Sequence, residues 1–251
     1  MKSIKTGVSW IDDLLPGGLP LHTATIITGP GGSGKPLIGE NFVAAWLKSG
    51  GSVAFMSLQY PDKEFLIESI REVTDVDLND FAEKIMFIQL DTDLSALKSM
   101  DDHTIRANLV KPDVWECVMI KIKDHLPDEG PGVLVFGSAL NLLLFSPTYG
   151  EEILEAIRNT ITSDIKMTYL FSVSTSAKAK EIAHLEEVAD NLIMTRSTKK
   201  PFRLYLKVIR MKDVSFKTEE VQVKIDPGKL EHIKQVAEHS RSVVIPAISK
   251  I

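Results

Sequence analysis

Gly29-Pro30-Gly31-Gly32-Ser33-Gly34-Lys35-Pro36 follows the apolar run from Ala24 to Ile27 and leads into a helix-like run, Leu37 to Lys48. Seven of its eight positions fit the phosphate-binding pattern G-x-x-x-x-G-K-[ST], in the strand–loop–helix setting that pattern needs. Such a loop turns successive backbone N–H groups inward, adds the partial positive charge of a helix N-terminus, and sends its lysine to the outer phosphates. Gly29, Gly31, Gly32 and Gly34 keep Cβ atoms out of the way, and with Ser33 and Lys35 they form the candidate nucleotide-binding set. The eighth position departs. Pro36 stands where a Ser or Thr hydroxyl would reach Mg²⁺. Proline in a first helical turn is structurally cheap, because its missing N–H has no partner within the helix. In a phosphate loop that N–H is a phosphate donor. Pro36 also biases Lys35 away from the α region, which is expected to displace the ammonium. The expectation is a loop of nucleotide-binding ancestry that holds ATP or ADP weakly or not at all, without Mg²⁺.

Outward from the loop, the composition bounds the class. The chain has 251 residues, 44% hydrophobic and 25% charged, which suits a large α/β domain with a substantial core. A net charge of −5 excludes a polycation. Cys117 is the only cysteine, so no intrachain disulfide forms; no apolar segment follows Lys2 and Lys5, and a cytoplasmic protein is expected. The longest apolar stretch, Val133 to Phe145, is broken by Gly137, Ser138 and Asn141, so no membrane span is expected.

Strand and helix patterns alternate along the chain. Trp10 to Leu15 reads as a short helix, Thr23 to Thr28 as a strand and Pro36 to Lys48 as a helix with an Ile38, Phe42, Ala45, Trp46 stripe. Residues 52–58 and Ile85 to Leu90 read as strands around a helix capped by Asp62. Residues 91–112 are polar and read as an excursion from the core. Val114 to Leu126 and Glu151 to Thr162 have helical spacing, and Val133 to Phe136, Met167 to Val173 and Asn191 to Thr195 read as strands. A helical piece runs near Ala183 to Val188, and Phe202 to Ile209 with Glu220 to Ile225 reads as an antiparallel pair. This order predicts an α/β fold with a mostly parallel sheet covered on both faces. The expected division is a main domain over 1–226 and a helical tail over 227–251, with a helix from Lys229 to His239.

The chain resembles the RecA/RadA superfamily of ATPases, and within it the KaiC-like proteins. The residues that carry this are Thr6-Gly7, Ile11 to Leu15, Gly17-Gly18-Leu19-Pro20, the loop, Glu186 to Ile193, and Arg210 to Asp213. The resemblance implies a RecA-like fold and sharpens four departures. Where the family has acidic residues after its second main strand, this chain has Gln59 and Tyr60; neither is a general base, though Gln59 retains the chemistry to orient a water. Where the family has a Mg²⁺-anchoring Asp at the end of V-V-I-D-S, this chain has Gly137. His22 stands where the family has Gly, and Pro36 replaces the Mg²⁺ hydroxyl. Each lost group typically costs about 10²–10³ in rate, so the resemblance with its departures implies a pseudo-ATPase.

The resemblance also implies a role for Arg210 and Lys212. They align with a cationic pair that reaches a neighbouring subunit's nucleotide, and so join the candidate cofactor-binding residues; the other reading is a strand edge carrying cations against aggregation. Residues 166–217 hold eleven Lys and Arg against five acids, a local charge of +6 that leaves −11 on the rest. That split favours self-association, an active paralogue or an acidic partner. Strand addition of a peptide is open. Lys178, Lys180, Lys199 and Lys200 make single-stranded nucleic acid a further reading, although Ser174 to Lys180 has no aromatic to stack on bases. A slow ATPase or kinase that drafts Asp62 and Glu64 is the enzymatic alternative. The six histidines show no metal-ligand spacing with Cys117, no serine lies in G-x-S-x-G, and Trp10, Trp46 and Trp115 read as core anchors.

Overall fold

Runs such as Ala24 to Ile27 and Val133 to Phe136 show no polar–apolar alternation, which is what a strand covered on both faces requires. A computed structural model places them so and describes residues 2–101, 103–163, 166–223 and 240–251. In chain order the strands are β1 (Ser3–Ile4), β2 (Leu19–Pro20), β3 (Ala24–Gly29), β4 (Ser52–Ser57), β5 (Ile85–Leu90), β6 (Lys98–Ser99) and β7 (Thr104–Ala107). They continue with β8 (Val133–Ser138), β9 (Thr168–Ser174), β10 (Asn191–Lys199), β11 (Phe202–Arg210) and β12 (Val221–Val223). The helices are α1 (Ser9–Leu14), α2 (Lys35–Lys48), α3 (Lys63–Thr74), α4 (Pro112–His125), α5 (Gly150–Ser163), α6 (Ala179–Val188) and α7 (Ile245–Ile248).

β1 and β2 pair with each other, and the remaining strands form one ten-stranded sheet in the order β12-β11-β10-β3-β9-β8-β4-β5-β7-β6. From β10 to β7 every pairing is parallel; β11 and β12 add an antiparallel edge, and β6 closes the other side antiparallel to β7. One face of the sheet buries Leu134, Phe136 and Ile193 beneath α2, whose Leu37, Ile38 and Phe42 join the same cluster. The other buries Val135, Phe171 and Ile26 against Trp115, Ile157 and Leu185 of α4, α5 and α6. This is the expected architecture, including the C-terminal antiparallel pair, where Leu204 sits opposite Val223.

Asp62 caps α3 as expected, its carboxylate accepting from Phe65 N at 2.8 Å. His22 takes φ 55°, the left-handed region that favours glycine. Its ring supplies local support: Nδ1 donates to Lys166 O at 2.8 Å, which fixes the tautomer.

Residues 91–112 correct the reading of the sequence. They are not an excursion: β6 and β7 extend the sheet, and Ile105, Ala107, Leu109 and Val110 are buried. A four-residue strand offers too little alternation to stand out, and Arg106, facing outward onto Asp91 at 2.6 Å, makes the stretch look polar. Beyond β12, the expected helix from Lys229 to His239 and the boundary between residues 226 and 227 lie outside the described residues. At the C-terminus, Val244 and Ile248 enter the core on the face of α4, α5 and α6.

If β7 is core rather than excursion, Ile105→Ala lowers stability by about 2–5 kcal/mol, as for other buried large-to-small changes. Urea unfolding followed by circular dichroism measures it; a change below about 0.5 kcal/mol, the range of surface substitutions, would contradict the burial.

Candidate functional site

The loop leaves the sheet at Gly29, whose φ is 147° and where an added Cβ would lie 2.2 Å from Thr195 O. Only glycine passes there. The chain then turns over Pro30 to Gly34 into α2, whose first helical residue is Lys35, with Gly34 at φ 75° as its N-cap. Pro36 therefore does not expel Lys35 from the helix; at the second helical position it merely lacks an N–H that the first turn leaves without an intrahelical partner.

Lys35 is turned back onto its own loop. Its Nζ donates to Gly29 O at 2.9 Å and Pro30 O at 2.7 Å, and lies 3.3 Å from Ser33 Oγ. Ser33 is buried in turn, its Oγ 2.6 Å from both Pro30 O and Thr195 Oγ1. Gly31 N, one of the donors a phosphate would use, donates instead to Ser176 Oγ at 2.9 Å. Burial draws the Lys35 ammonium from 10.5 down to about 7, while the three oxygens around it favour the charged form. Two donors a phosphate would use, Gly31 N and Lys35 Nζ, are thus engaged within the chain.

The positions where the family carries acids hold a different cluster. Tyr60 is buried, and its hydroxyl donates a short hydrogen bond to the carboxylate of Glu40, on α2; Ser69 Oγ reaches the same oxygen at 2.9 Å. Burial first, then the charge and hydrogen bond of Glu40, push the Tyr60 hydroxyl well above its usual range. Gln59 is buried beside it. Glu40 was missed in the sequence; the available signal was an acid inside a helix otherwise apolar on nearly every side. Asp62 is spent as a helix cap and Glu64 is exposed, so neither is drawn to the loop.

At Gly137 an added Cβ would meet Phe171 Cδ1 at 2.6 Å and Leu140 Cδ1 at 2.9 Å. The place of a carboxylate is filled by side chains of the core. Alternation along β8 puts the following Ser138 on the side of Phe136 and α2; it is buried, and its hydroxyl has no hydrogen-bond partner among the described residues.

Arg210 and Lys212 are not brought to the loop of their own chain. Arg210 donates to Glu186 O and Ala189 O, both at 2.7 Å, and so closes the C-terminal end of α6. Lys212 Nζ donates to Asp190 at 2.8 Å, and the same carboxylate accepts from Ala24 N at 3.0 Å. Ala24 begins β3 and the loop begins where β3 ends, so both cations stand at the opposite end of that strand. Beside them, Asn191 Nδ2 donates to Thr23 Oγ1 and Thr25 Oγ1 at 2.9 Å, and Lys212 N donates to its Oδ1 at 2.8 Å. Of the other basic residues, Lys178 pairs with Glu181 at 3.5 Å and Arg196 with Glu220.

A parallel sheet with a glycine-rich lysine loop after β3 and helices on both faces defines a RecA-like P-loop protein. Residues 4–237 match the family model described as "ATPase: KaiC", and the chain belongs to that family. It is similar to the UPF0273 protein MK0039 of Methanopyrus kandleri, 32% identical over 59 residues, which are 24% of this chain and 23% of that protein. It is likewise similar to the circadian clock protein KaiC3 of Synechocystis, 33% identical over 63 residues, 25% of this chain and 12% of that one. The chain thus matches less than a quarter of the length of either relative. Its fold is that of the KaiC-like protein PH0186 of Pyrococcus horikoshii, with a TM-score of 0.65 at 17% identity over 90% of this chain and 96% of that one. Among the described residues no helix is long and apolar enough to cross a membrane.

Between about pH 7 and 10.5 the unfolded chain keeps a proton on Lys35 that the folded chain releases. Stability therefore rises with pH through that window, by up to about 1.4 kcal/mol per unit from this group, and Lys35→Met removes that slope. Urea midpoints of both proteins at the two ends of the window test this; parallel curves would refute it. Gly137→Asp, which forces a side chain into Phe171 and Leu140, lowers stability by about 1–3 kcal/mol in the same assay.

Proposed function

We propose that this chain is a KaiC-family P-loop protein that has given up ATP hydrolysis and acts as an interaction or regulatory module. The observation that carries the reading is the closed space at Gly137, where a Mg²⁺-anchoring carboxylate would have to displace Phe171 and Leu140. Tyr60 held on Glu40 and Lys35 held on its own carbonyls support it from either side. Nucleotide, where it binds, has to displace Lys35 and Ser176 from the loop, so binding is weak and does not depend on Mg²⁺.

The partner in this reading is a second copy of the chain or an active paralogue. The outward face of β10 and β11 places Met194, with Lys207 opposite, beside Arg196, with Tyr205 opposite. Met194 and Ile209 are exposed apolar residues on that face, with Arg203 and Lys207 beside them. An apolar patch ringed by cations suits an acidic surface, and the rest of the chain carries −11.

Titration calorimetry with ATP, with and without Mg²⁺, and a phosphate-release assay test the catalytic half. The expected outcome is no strengthening of binding by Mg²⁺ and no turnover above that of Lys35→Ala. Mg²⁺-dependent turnover that disappears in Lys35→Ala would overturn the reading. Light scattering on the same samples, at low and high salt, is expected to show association that weakens as salt rises.

A further inference from the structure

A cavity of about 530 Å³ lies at the carboxyl ends of β4 and β5, and no residue of the loop from Gly29 to Pro36 contributes to it. It is open to solvent on one side, and its volume falls in the range of ligand pockets, about 300 to 1,000 Å³. The floor is apolar, formed by Phe55, Leu58, Leu66 and Phe87, and Val244 near the C-terminus closes one side. The ends of parallel strands are where open α/β sheets receive ligands.

The polar groups at its rim are unequal. Arg106 is committed to Asp91 at 2.6 Å. Asp62 is committed to Phe65 N at 2.8 Å. Lys63 is different: its Nζ stands 6.0 Å from the centre of the Phe87 ring, its charge reaches the exposed Asp101 only at longer range, and among the described residues it makes no ion pair within 4.0 Å. A cation without a close carboxylate over an aromatic floor, in a pocket whose Asp62, Asp91 and Arg106 are engaged with protein partners, suits a ligand with an apolar body and a single anionic group.

We infer that the cavity bounded by Phe55, Leu66, Phe87 and Lys63 is a binding site for a small amphipathic anion, such as an aromatic sulfonate or a medium-chain carboxylate. The apolar body lies on Phe87 and Leu66, and the anion meets the Lys63 ammonium. Tyr60 also lines the cavity, and its hydroxyl holds Glu40 on α2, the helix that begins at Lys35. A ligand there touches a side chain that reaches the helix of the phosphate loop. The site shares no residue with that loop.

The test is a fluorescence titration of the whole chain with 8-anilinonaphthalene-1-sulfonate, followed by competition with decanoate. The expected result is saturable binding of one probe per chain that decanoate displaces and pyrophosphate does not. Lys63→Glu should weaken it at least about tenfold, the loss of one favourable charge contact and the gain of a repulsive one, while Lys63→Arg stays within about threefold. Leu90→Trp, which puts bulk into the cavity from a partly buried position, should abolish it. Circular dichroism shows whether each variant is folded, and Lys63, being half-exposed, is safe to change. Non-saturable binding would overturn the inference and point to the exposed apolar residues of β10 and β11. Binding unchanged by both Lys63→Glu and Leu90→Trp would also overturn it. Displacement by pyrophosphate would move the probe to the loop and refute the separate site.

Discussion

The side-chain amide of Asn191 is fully buried, and its contacts tie three strands together. Its nitrogen holds the two threonines that flank the start of β3, and its oxygen takes the backbone N–H that follows β11. A buried amide left without such partners costs about 1–3 kcal/mol, so the arrangement admits one register and penalises its neighbours. Because side chains alternate across a strand, a slip of one residue would turn Ile26 and Ile27 to the wrong faces. The register of β3 against β10 then decides where the chain leaves the sheet, at Gly29 beneath Thr195, and so where the loop lies. Asp190, Lys212 and Arg210 gather around Asn191, at the other end of β3. Their family-like sequence serves the architecture whatever happens to the chemistry at the far end of the strand.

That separation explains how a phosphate loop keeps its form while its surroundings change. The form depends on backbone: glycines at positive φ, the parallel strand before them and the helix after them. The chemistry depends on a few side chains at positions 36, 59, 60 and 137, and those at 36, 60 and 137 each satisfy a packing or hydrogen-bonding demand of the folded chain. Pro36 fits a first helical turn, Tyr60 fills a buried slot against Glu40, and Gly137 lets Phe171 and Leu140 meet over the strand end. Fold and function live on different residues, which is why the family likeness and the altered site coexist.

The loop, the central strands and the helices around them were legible in the sequence because each is announced by a long pattern: an apolar run without alternation, a helical stripe, or a glycine cluster with lysine. What stayed hidden were relations between distant residues. Tyr60 and Glu40 stand twenty positions apart and on different elements, and nothing in either local pattern pairs them. The absence of a carboxylate at Gly137 is plain from the sequence, but the filling of its place needs Phe171 from the neighbouring strand. β7 escaped notice for the opposite reason, since four residues carry too short a period to rise above the polar segments around them. Arg210 and Lys212 were recognisable as a cationic pair, but the fold alone places them at the strand end remote from the loop.

The inward turn of Lys35 has a consequence for how the protein relates to its environment. A nucleotide-binding domain that needs its ligand to neutralise a buried cation owes part of its stability to the ligand's concentration, by mass action. Here the loop's own carbonyls and Ser33 take the place the phosphates would hold. The loop thus satisfies its own lysine within the folded chain, and that part of its stability comes from the chain itself.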